Sequence, residues 1–429
     1  MKEIFVVTIT GLTNQGEGVG RLPDGRAVFV PFVVPGDEIE ITLQQSKKSF
    51  ARGRLQTILT TGEGRKQPRC RHFQQCGGCS WQHLHEDTQQ HWKTQIVQDA
   101  LQRVGRLQEL PEVVYRPAQH SYGLRTRARL HVDRYGNPGY YQKQSRNLLE
   151  IHECPVLTPS LEDLLQDLRR HLPQLGFPIG DCRVLCNERG ETVISLHTKA
   201  GKNLRQHDEK RWQQWCQELQ QDNSSLQGAQ YWSGMVCLAE WGQSWLKTEG
   251  SALRYTASDF AQASFAMNRT LIRDVLALAR TTGETELLEL YAGRGNFSLP
   301  LAEEGFQVHC LEYSREAVTE GKRAAEELGL SRQLHWQRWN DEKDSLSNYK
   351  RTNLVLLDPP RRGLDSAVVD SLLHQKPQWL LYVSCDPVTL ARDAKRLCEE
   401  EYNLEALHLV DLMPQTPHVE TIALFKRTS

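Results

Sequence analysis

"LLELYAGRGNFSLPLAEEG", residues 287–305, decides the fold. The mainly apolar stretch from Leu287 to Tyr291, interrupted only by Glu289, is short enough for a buried strand. It breaks at Gly293 and Gly295 and resumes as an amphipathic, helix-like stretch. "FQVHCLEYSREAVTEGKRAAEELG" (306–329) repeats strand and then helix. "NLVLLDPPRRG" (353–363), "WLLYVSCDP" (379–387) and "TIALFKR" (421–427) read as further strands. This βαβ rhythm predicts a doubly wound, Rossmann-like parallel sheet. Ligands of such sheets bind at the carboxyl ends of the strands.

Three features collect at those ends. Gly293 and Gly295 allow a close approach of backbone to ligand. Glu312 closes the next strand, 23 residues after Glu289, where an acid suits ribose hydroxyls. No third glycine follows at the pyrophosphate-binding spacing, which favours a nucleoside-type cofactor such as S-adenosyl-L-methionine over a dinucleotide. Asp358, in "LLDPP", is an acid at a strand end stiffened by two prolines, and it is costly to bury without a partner. Cys385, in "LLYVSCDPVTLARD" (380–393), sits at a strand tip before a proline turn. Such a thiol is either a small buried hydrophobe or a nucleophile presented to the cofactor edge.

The rest of the chain differs in character. Residues 1–60 alternate like strands, broken by "NQGEGVG" (14–20) and "VPGDEIE" (34–40), and predict a small five-stranded, OB-like barrel of the kind that binds oligonucleotides. Residues 61–255 form a central α+β region, and residues 256–429 the doubly wound domain. Helices are expected at 89–104 and 158–172, the latter started by Thr158-Pro159-Ser160. Antiparallel strands are expected over 122–152, turning at "RYGNPGYY" (134–141). Residues 180–250 show no decisive pattern.

Net charge is −1, which does not by itself announce a nucleic-acid binder. Between Lys47 and Arg71, however, eight basic residues face one acid, Glu63, a local balance of +7. Arg125, Arg127 and Arg129 alternate in a strand-like run and are expected on one face. Both patches suit a phosphate backbone. No apolar stretch spans a bilayer and the N-terminus lacks a signal-peptide core, so a cytoplasmic location with no membrane partner is expected. No obligate protein partner is evident.

Among eleven cysteines, Cys70, Cys76 and Cys79 cluster in "CRHFQQCGGCSWQH" (70–83), and Cys154 in "IHECPVL" (151–157) is a plausible remote fourth. Four thiolates suit zinc or an iron–sulfur cluster. Three close cysteines plus one distant one followed by proline favour iron–sulfur over the paired spacing of zinc ribbons.

With these motifs in order, the chain resembles the RNA uracil-5-methyltransferase family, which forms 5-methyluridine. "DFAQ" (259–262), "LYAGRGNFSLPLA" (290–302), "LEYS" (311–314), "LLDPPRRG" (356–363), "YVSCDPVTLARD" (382–393) and "DLMPQTPHVETIALF" (411–425) carry the resemblance. The N-terminal barrel looks like a TRAM domain, and the cysteine loop like the 4Fe-4S site of the bacterial branch acting on 23S rRNA. The resemblance implies cofactor contacts from Gln262, Tyr291, Asn296, Glu312, Asn340 and Asp358. It implies a nucleophile at Cys385, a base at Glu420, and cluster ligands at Cys70, Cys76, Cys79 and Cys154. The alternatives are a transfer-RNA T-loop substrate and an iron–sulfur RNA-binding protein without transfer activity. Asp386 stands where the family usually has Asn. An ionised carboxylate there is expected to raise the pKa of the neighbouring thiol.

Overall fold

The computed structural model describes residues 3–198 and 206–428. The chain separates into two compact units, one formed by residues 1–89, 119–266 and 413–417, the other by 90–118, 267–412 and 418–429.

The first unit opens with β1 (Ile4–Leu12), β2 (Gly18–Arg21), β3 (Ala27–Val30), β4 (Glu38–Ser46) and β5 (Phe50–Thr60). They close into a barrel in the order β1-β2-β3-β5-β4. Alternation puts Val7, Ile9, Val28, Val30, Ile39 and Ile41 inside. The five-stranded barrel expected from residues 1–60 is present. The barrel is tied to the cysteine loop. Arg65 pairs with buried Asp37, His83 Nε2 meets the Val33 carbonyl at 3.1 Å, and Trp81 Nε1 donates to the Gly16 carbonyl at 3.2 Å.

Two elements then belong to the second unit, the later part of α1 (Glu86–Arg103) and β6 (Val113–Arg116). The chain returns to the first unit with β7 (Arg127–Val132), β8 (Pro138–Tyr141) and β9 (Leu148–Glu150). α2 (Pro159–His171), β10 (Asp181–Cys186), β11 (Thr192–Thr198), α3 (Gln206–Asp222), β12 (Leu226–Ser233) and β13 (Val236–Gly242) follow. The seven strands order as β13-β12-β11-β10-β7-β8-β9. One face of this sheet packs on α2 and α3 through Leu164, Leu168, Trp212 and Trp215. A hairpin of β14 (Trp245–Lys247) and β15 (Arg254–Thr256) ends the region.

Two local expectations change here. Arg125 precedes β7 and makes only an isolated bridge to Leu157, while the partly buried Arg127 donates to the Ala261 carbonyl at 2.6 Å. Of the three arginines only Arg129 is an exposed strand residue. Thr158 precedes α2 with extended backbone but makes no side-chain cap; Pro159 at the first helical position supplies the start.

The second unit continues with α4 (Phe265–Thr281), β16 (Glu286–Leu290), α5 (Ser298–Glu303), β17 (Gln307–Glu312), α6 (Arg315–Glu327) and β18 (Leu334–Arg338). It ends with β19 (Leu354–Leu357), α7 (Ser366–Gln375), β20 (Trp379–Ser384), α8 (Pro387–Glu400), β21 (Tyr402–Val410) and β22 (Glu420–Arg427). Its eight strands order as β18-β17-β16-β19-β20-β22-β21-β6. The pairs from β18 to β20 are parallel, β22 runs antiparallel between β20 and β21, and β6 lies parallel to β21 at the edge. The central strands read as continuous apolar runs because both faces are buried. Residues 90–118, expected in the central region, thus supply an edge strand and part of the core of this unit. Nothing in "VVYR" distinguishes an edge strand of one sheet from that of another.

Candidate active site

Strand order reverses between β16 and β19, and the site grows from the carboxyl ends of these strands. Leu290 pairs with Leu311 on one side and Leu357 on the other, so Tyr291, Glu312 and Asp358 emerge together. Ser384 pairs with Thr421. Because β22 is antiparallel, Glu420 starts its strand at the edge where β20 ends and Cys385 follows.

The glycine turn is built tightly. Tyr291 adopts φ +64, an uncommon conformation for a non-glycine residue. Its hydroxyl donates to Asp341 Oδ2 at 3.1 Å, and its ring lies edge-on to Trp339, 5.2 Å between centroids. Gly293 has φ +56, and a side chain added there would meet open space. The Gly293 N–H donates to Glu312 Oε2 at 2.9 Å, and Ser314 N–H donates to Glu312 Oε1 at 2.7 Å. Asn296 exchanges two hydrogen bonds with Asn268 of α4, at 2.7 and 3.1 Å. The Asn340 side-chain oxygen accepts from Glu342 N–H at 3.0 Å, turning the loop after β18. Gln262 lies in the first unit and is half-buried. An open space over a positive-φ glycine, bordered by an acid and amides, fits a nucleoside-bearing cofactor.

Around Cys385 the dominant force is desolvation. Burial pushes the Cys385 thiol up to about 11, helped by the charges of Glu420 and Asp358 and opposed by Arg361. Burial and then Asp358 push the Glu420 carboxyl up to about 8, again opposed by Arg361. Asp358 keeps some exposed surface, yet desolvation raises it to about 7. Glu289, hydrogen-bonded to Ser298 Oγ, is raised to about 8 chiefly by burial. A thiol and carboxyls perturbed together at a strand edge mark a site for proton transfer and nucleophilic attack.

Asp386 plays a different part from the one expected. Its Oδ1 accepts from Val388 N–H at 2.9 Å and Thr389 N–H at 3.1 Å, capping α8. The carboxylate is turned onto the helix N-terminus, which favours negative charge. The anions that raise the thiol are Glu420 and Asp358. Sequence reasoning missed Asn268, Ser298 and Arg361 as site residues. Arg361 had a signal in the DPPRRG loop; Asn268 had none, since its partner is 28 residues away, and Ser298 had none, since a serine nine residues from a strand glutamate is unremarkable without the fold.

The cysteine loop lies in the first unit. Cys70, Cys76, Cys79 and Cys154 are free and partly exposed. Burial pushes Cys76 up to about 11 and Cys154 up to about 12, and both also sense the other loop thiols. Among the described residues no three His, Cys, Asp or Glu side chains are grouped so as to hold a metal ion. The donor set is nonetheless all sulfur, with the distant Cys154 brought close enough to feel Cys70, Cys76 and Cys79. An all-sulfur donor set suits an iron–sulfur cluster in its chemistry.

The sequence profile of the tRNA (Uracil-5-)-methyltransferase family matches residues 86–428, and that of the TRAM domain residues 3–56. The chain belongs to the RNA (uracil-5-)-methyltransferase family and is an S-adenosylmethionine-dependent enzyme acting on RNA. It is 32% identical over 444 residues to the 23S rRNA (uracil(1939)-C(5))-methyltransferase RlmD of Aromatoleum aromaticum, covering 98% of this chain and 99% of that one. It is 33% identical over 446 residues to an uncharacterized RNA methyltransferase of Nostoc sp., covering 98% and 96%. The tRNA (uracil-54, C5)-methyltransferase of Pyrococcus abyssi, solved with S-adenosyl-L-homocysteine, superposes with a TM-score of 0.75 at 22% identity, covering 98% of this chain and 99% of that one. That likeness shows a shared fold. No helix among the described residues is long and apolar enough to cross a membrane.

Proposed function

We propose that this enzyme methylates carbon 5 of a uridine in 23S rRNA, in the cytoplasm, through a covalent adduct between Cys385 and carbon 6. The observation that carries the chemistry is the adjacency of Cys385 and Glu420 at one sheet edge, fixed by the Ser384–Thr421 pairing. The substrate assignment rests on full-length relatives named for uracil 1939 of 23S rRNA, 30–32% identical.

Carbon 5 of uracil is a weak nucleophile. The Cys385 thiolate adds to carbon 6, and the electrons of the 5,6 double bond pass to carbon 5 and the 4-carbonyl, giving an enolate. S-adenosylmethionine, when bound, would supply the electrophilic methyl, its carbon–sulfur bond breaking to leave S-adenosylhomocysteine as carbon 5 takes the group. Carbon 5 then carries both a methyl and its original proton. Glu420 removes the proton, the 5,6 double bond re-forms, and the bond from carbon 6 to sulfur breaks to release the thiolate. A carboxyl raised to about 8 is well matched to accept this proton. Within the second unit, Tyr291, Asn296, Glu312, Asn340 and Asp358 would hold the cofactor. The target uridine must leave its stack to reach the thiol, while the basic barrel holds flanking RNA.

Cys70, Cys76, Cys79 and Cys154 would hold one 4Fe-4S cluster. The reaction needs no electron from it. Its role would be to tie the 70–79 loop to residue 154.

Methylation mapping tests the substrate. Ribosomal RNA from a deletion strain should lack one 5-methyluridine, restored by the purified enzyme. Methyl transfer to the transfer-RNA T-loop instead would overturn the assignment.

A further inference from the structure

We propose that Asn268 is a positioning residue for the cofactor, acting through Asn296. The proposal rests on the reading of Asn296 as a cofactor contact. Asn268 lies in the first turn of α4 and is buried. Asn296 follows Gly295 at the tip of the glycine turn and is half-buried. Asn268 Nδ2 donates to Asn296 Oδ1 at 2.7 Å, and Asn296 Nδ2 donates back to Asn268 Oδ1 at 3.1 Å.

An amide has two N–H donors and two acceptor lone pairs. The reciprocal pair uses one of each on both residues. It therefore leaves Asn296 one N–H and one lone pair for a ligand, in directions set by its partner. A free asparagine side chain rotates about its last torsion and loses that definition. Rotation of Asn296 alone would set oxygen against oxygen and nitrogen against nitrogen across the pair. Both bonds would be lost at once, so Asn268 resists the flip.

The two residues stand 28 apart in sequence, on different elements. Asn268 thus fixes the glycine turn to α4 as well as orienting one amide. Glu312 already holds the other end of that turn through Gly293. The two anchors leave the space over Gly293 bordered by groups of defined polarity.

The test is a double-mutant cycle read by titration calorimetry with S-adenosylhomocysteine. Asn268→Ala and Asn268→Leu remove the amide; the leucine nearly keeps its volume and separates cavity from hydrogen bonding. Each should weaken binding about five- to tenfold, the loss of one to two neutral hydrogen bonds. RNA affinity, measured by filter binding, should stay unchanged. Asn296→Ala should weaken cofactor binding at least as much. The double variant should match Asn296→Ala alone, because Asn268 acts only through Asn296. Independent, multiplying losses would overturn the proposal, as would unchanged affinity in both Asn268 variants. Loss of folded circular dichroism in both would make Asn268 a structural residue and equally overturn it. Unchanged affinity in Asn296→Ala is a separate result, which would overturn the cofactor reading of Asn296 itself.

Discussion

Ser384 and Thr421 form the last rung between β20 and β22, so Cys385 and Glu420 leave the same sheet edge from strands of opposite direction. A parallel neighbour would have presented its carboxyl end there. The antiparallel β22 presents its first residue instead, and a carboxylate at the start of a strand becomes a partner for a thiol at the end of another. The pairing also explains the electrostatics: after burial, Glu420 is the largest influence raising Cys385.

The two glycines of the turn should fail differently. Gly293 faces open space, so Gly293→Ala should cost only the strain of a left-handed alanine, about 1–2 kcal/mol. Its methyl would occupy the cofactor's approach, and affinity for S-adenosylhomocysteine should fall tenfold or more. Gly295 has φ +102, and a methyl there would stand 3.2 Å from Leu299 and Trp336. Gly295→Ala should lower the melting temperature further. Wild-type affinity in Gly293→Ala would mean that the cofactor does not pass over this turn.

Stability should decline towards alkaline pH. Glu289, Asp358 and Glu420 are raised to about 8, 7 and 8, mainly by burial, from ordinary values near 4. Between those limits the native state binds more protons than the unfolded chain. The stabilisation from these groups is therefore complete below about pH 4 and is lost as pH rises through 7 to 8. Melting temperature should fall from pH 6 to 9, and Glu289→Gln should flatten the fall. A rise over that window would show the carboxyls to be ionised in the folded protein.

The exposed basic residues of the barrel should act on RNA alone. Lys47, Lys48 and Arg54 are exposed. Charge reversal at all three should weaken RNA binding and reduce its salt dependence by about one logarithmic unit for each phosphate no longer neutralised. Cofactor affinity should not change. Point substitution is the suitable test because Arg65–Asp37 and Trp81–Gly16 tie the barrel to the cysteine loop. Deleting the barrel would disturb that loop as well.

Anaerobically purified protein should be brown, with about one iron–sulfur cluster per chain. Cys154→Ser should lose iron and melt earlier, since the remote ligand joins two segments. Stoichiometric zinc without iron would rule the cluster out.

The sequence made the α/β unit legible where strands were buried on both faces, because Leu354–Leu357 reads as an unbroken apolar run and Leu287–Leu290 as one broken only by Glu289, each ended by chemistry. The barrel was legible from strict alternation. β6 and β21 were not: an edge strand and its amphipathic neighbour carry a weak pattern, and only long-range pairing assigns Val113–Arg116 to this sheet. The same limit governs the site. Cys385, Asp358 and the glycines announce themselves by local context. Glu420 rested on resemblance, and the Asn268–Asn296 pair is invisible without the fold. Asp386 looked like a disturbing charge, because its cap on α8 depends on the rotamer it adopts.

Nucleophile and base should separate cleanly. Cys385→Ala should abolish methyl transfer and every covalent attachment to RNA, since no adduct begins without the thiolate. Glu420→Gln keeps the shape of the carboxyl but cannot take a proton. Addition and methylation can still occur; release cannot, because the proton on carbon 5 stays in place. A methylated protein–RNA complex should accumulate and run as a slow band on a denaturing gel. Replacing the buried carboxyl by an amide of the same shape should leave the fold intact and cofactor affinity nearly unchanged. In the wild type, adduct formation should quicken between pH 7 and 9 as the thiolate fraction grows, because burial pushes the Cys385 thiol up to about 11. Normal turnover by Glu420→Gln would place the base elsewhere, with the neighbouring Asp358 the first group to test. An adduct formed by Cys385→Ala would move the nucleophile to another cysteine and leave the Ser384–Thr421 pairing without its chemical consequence.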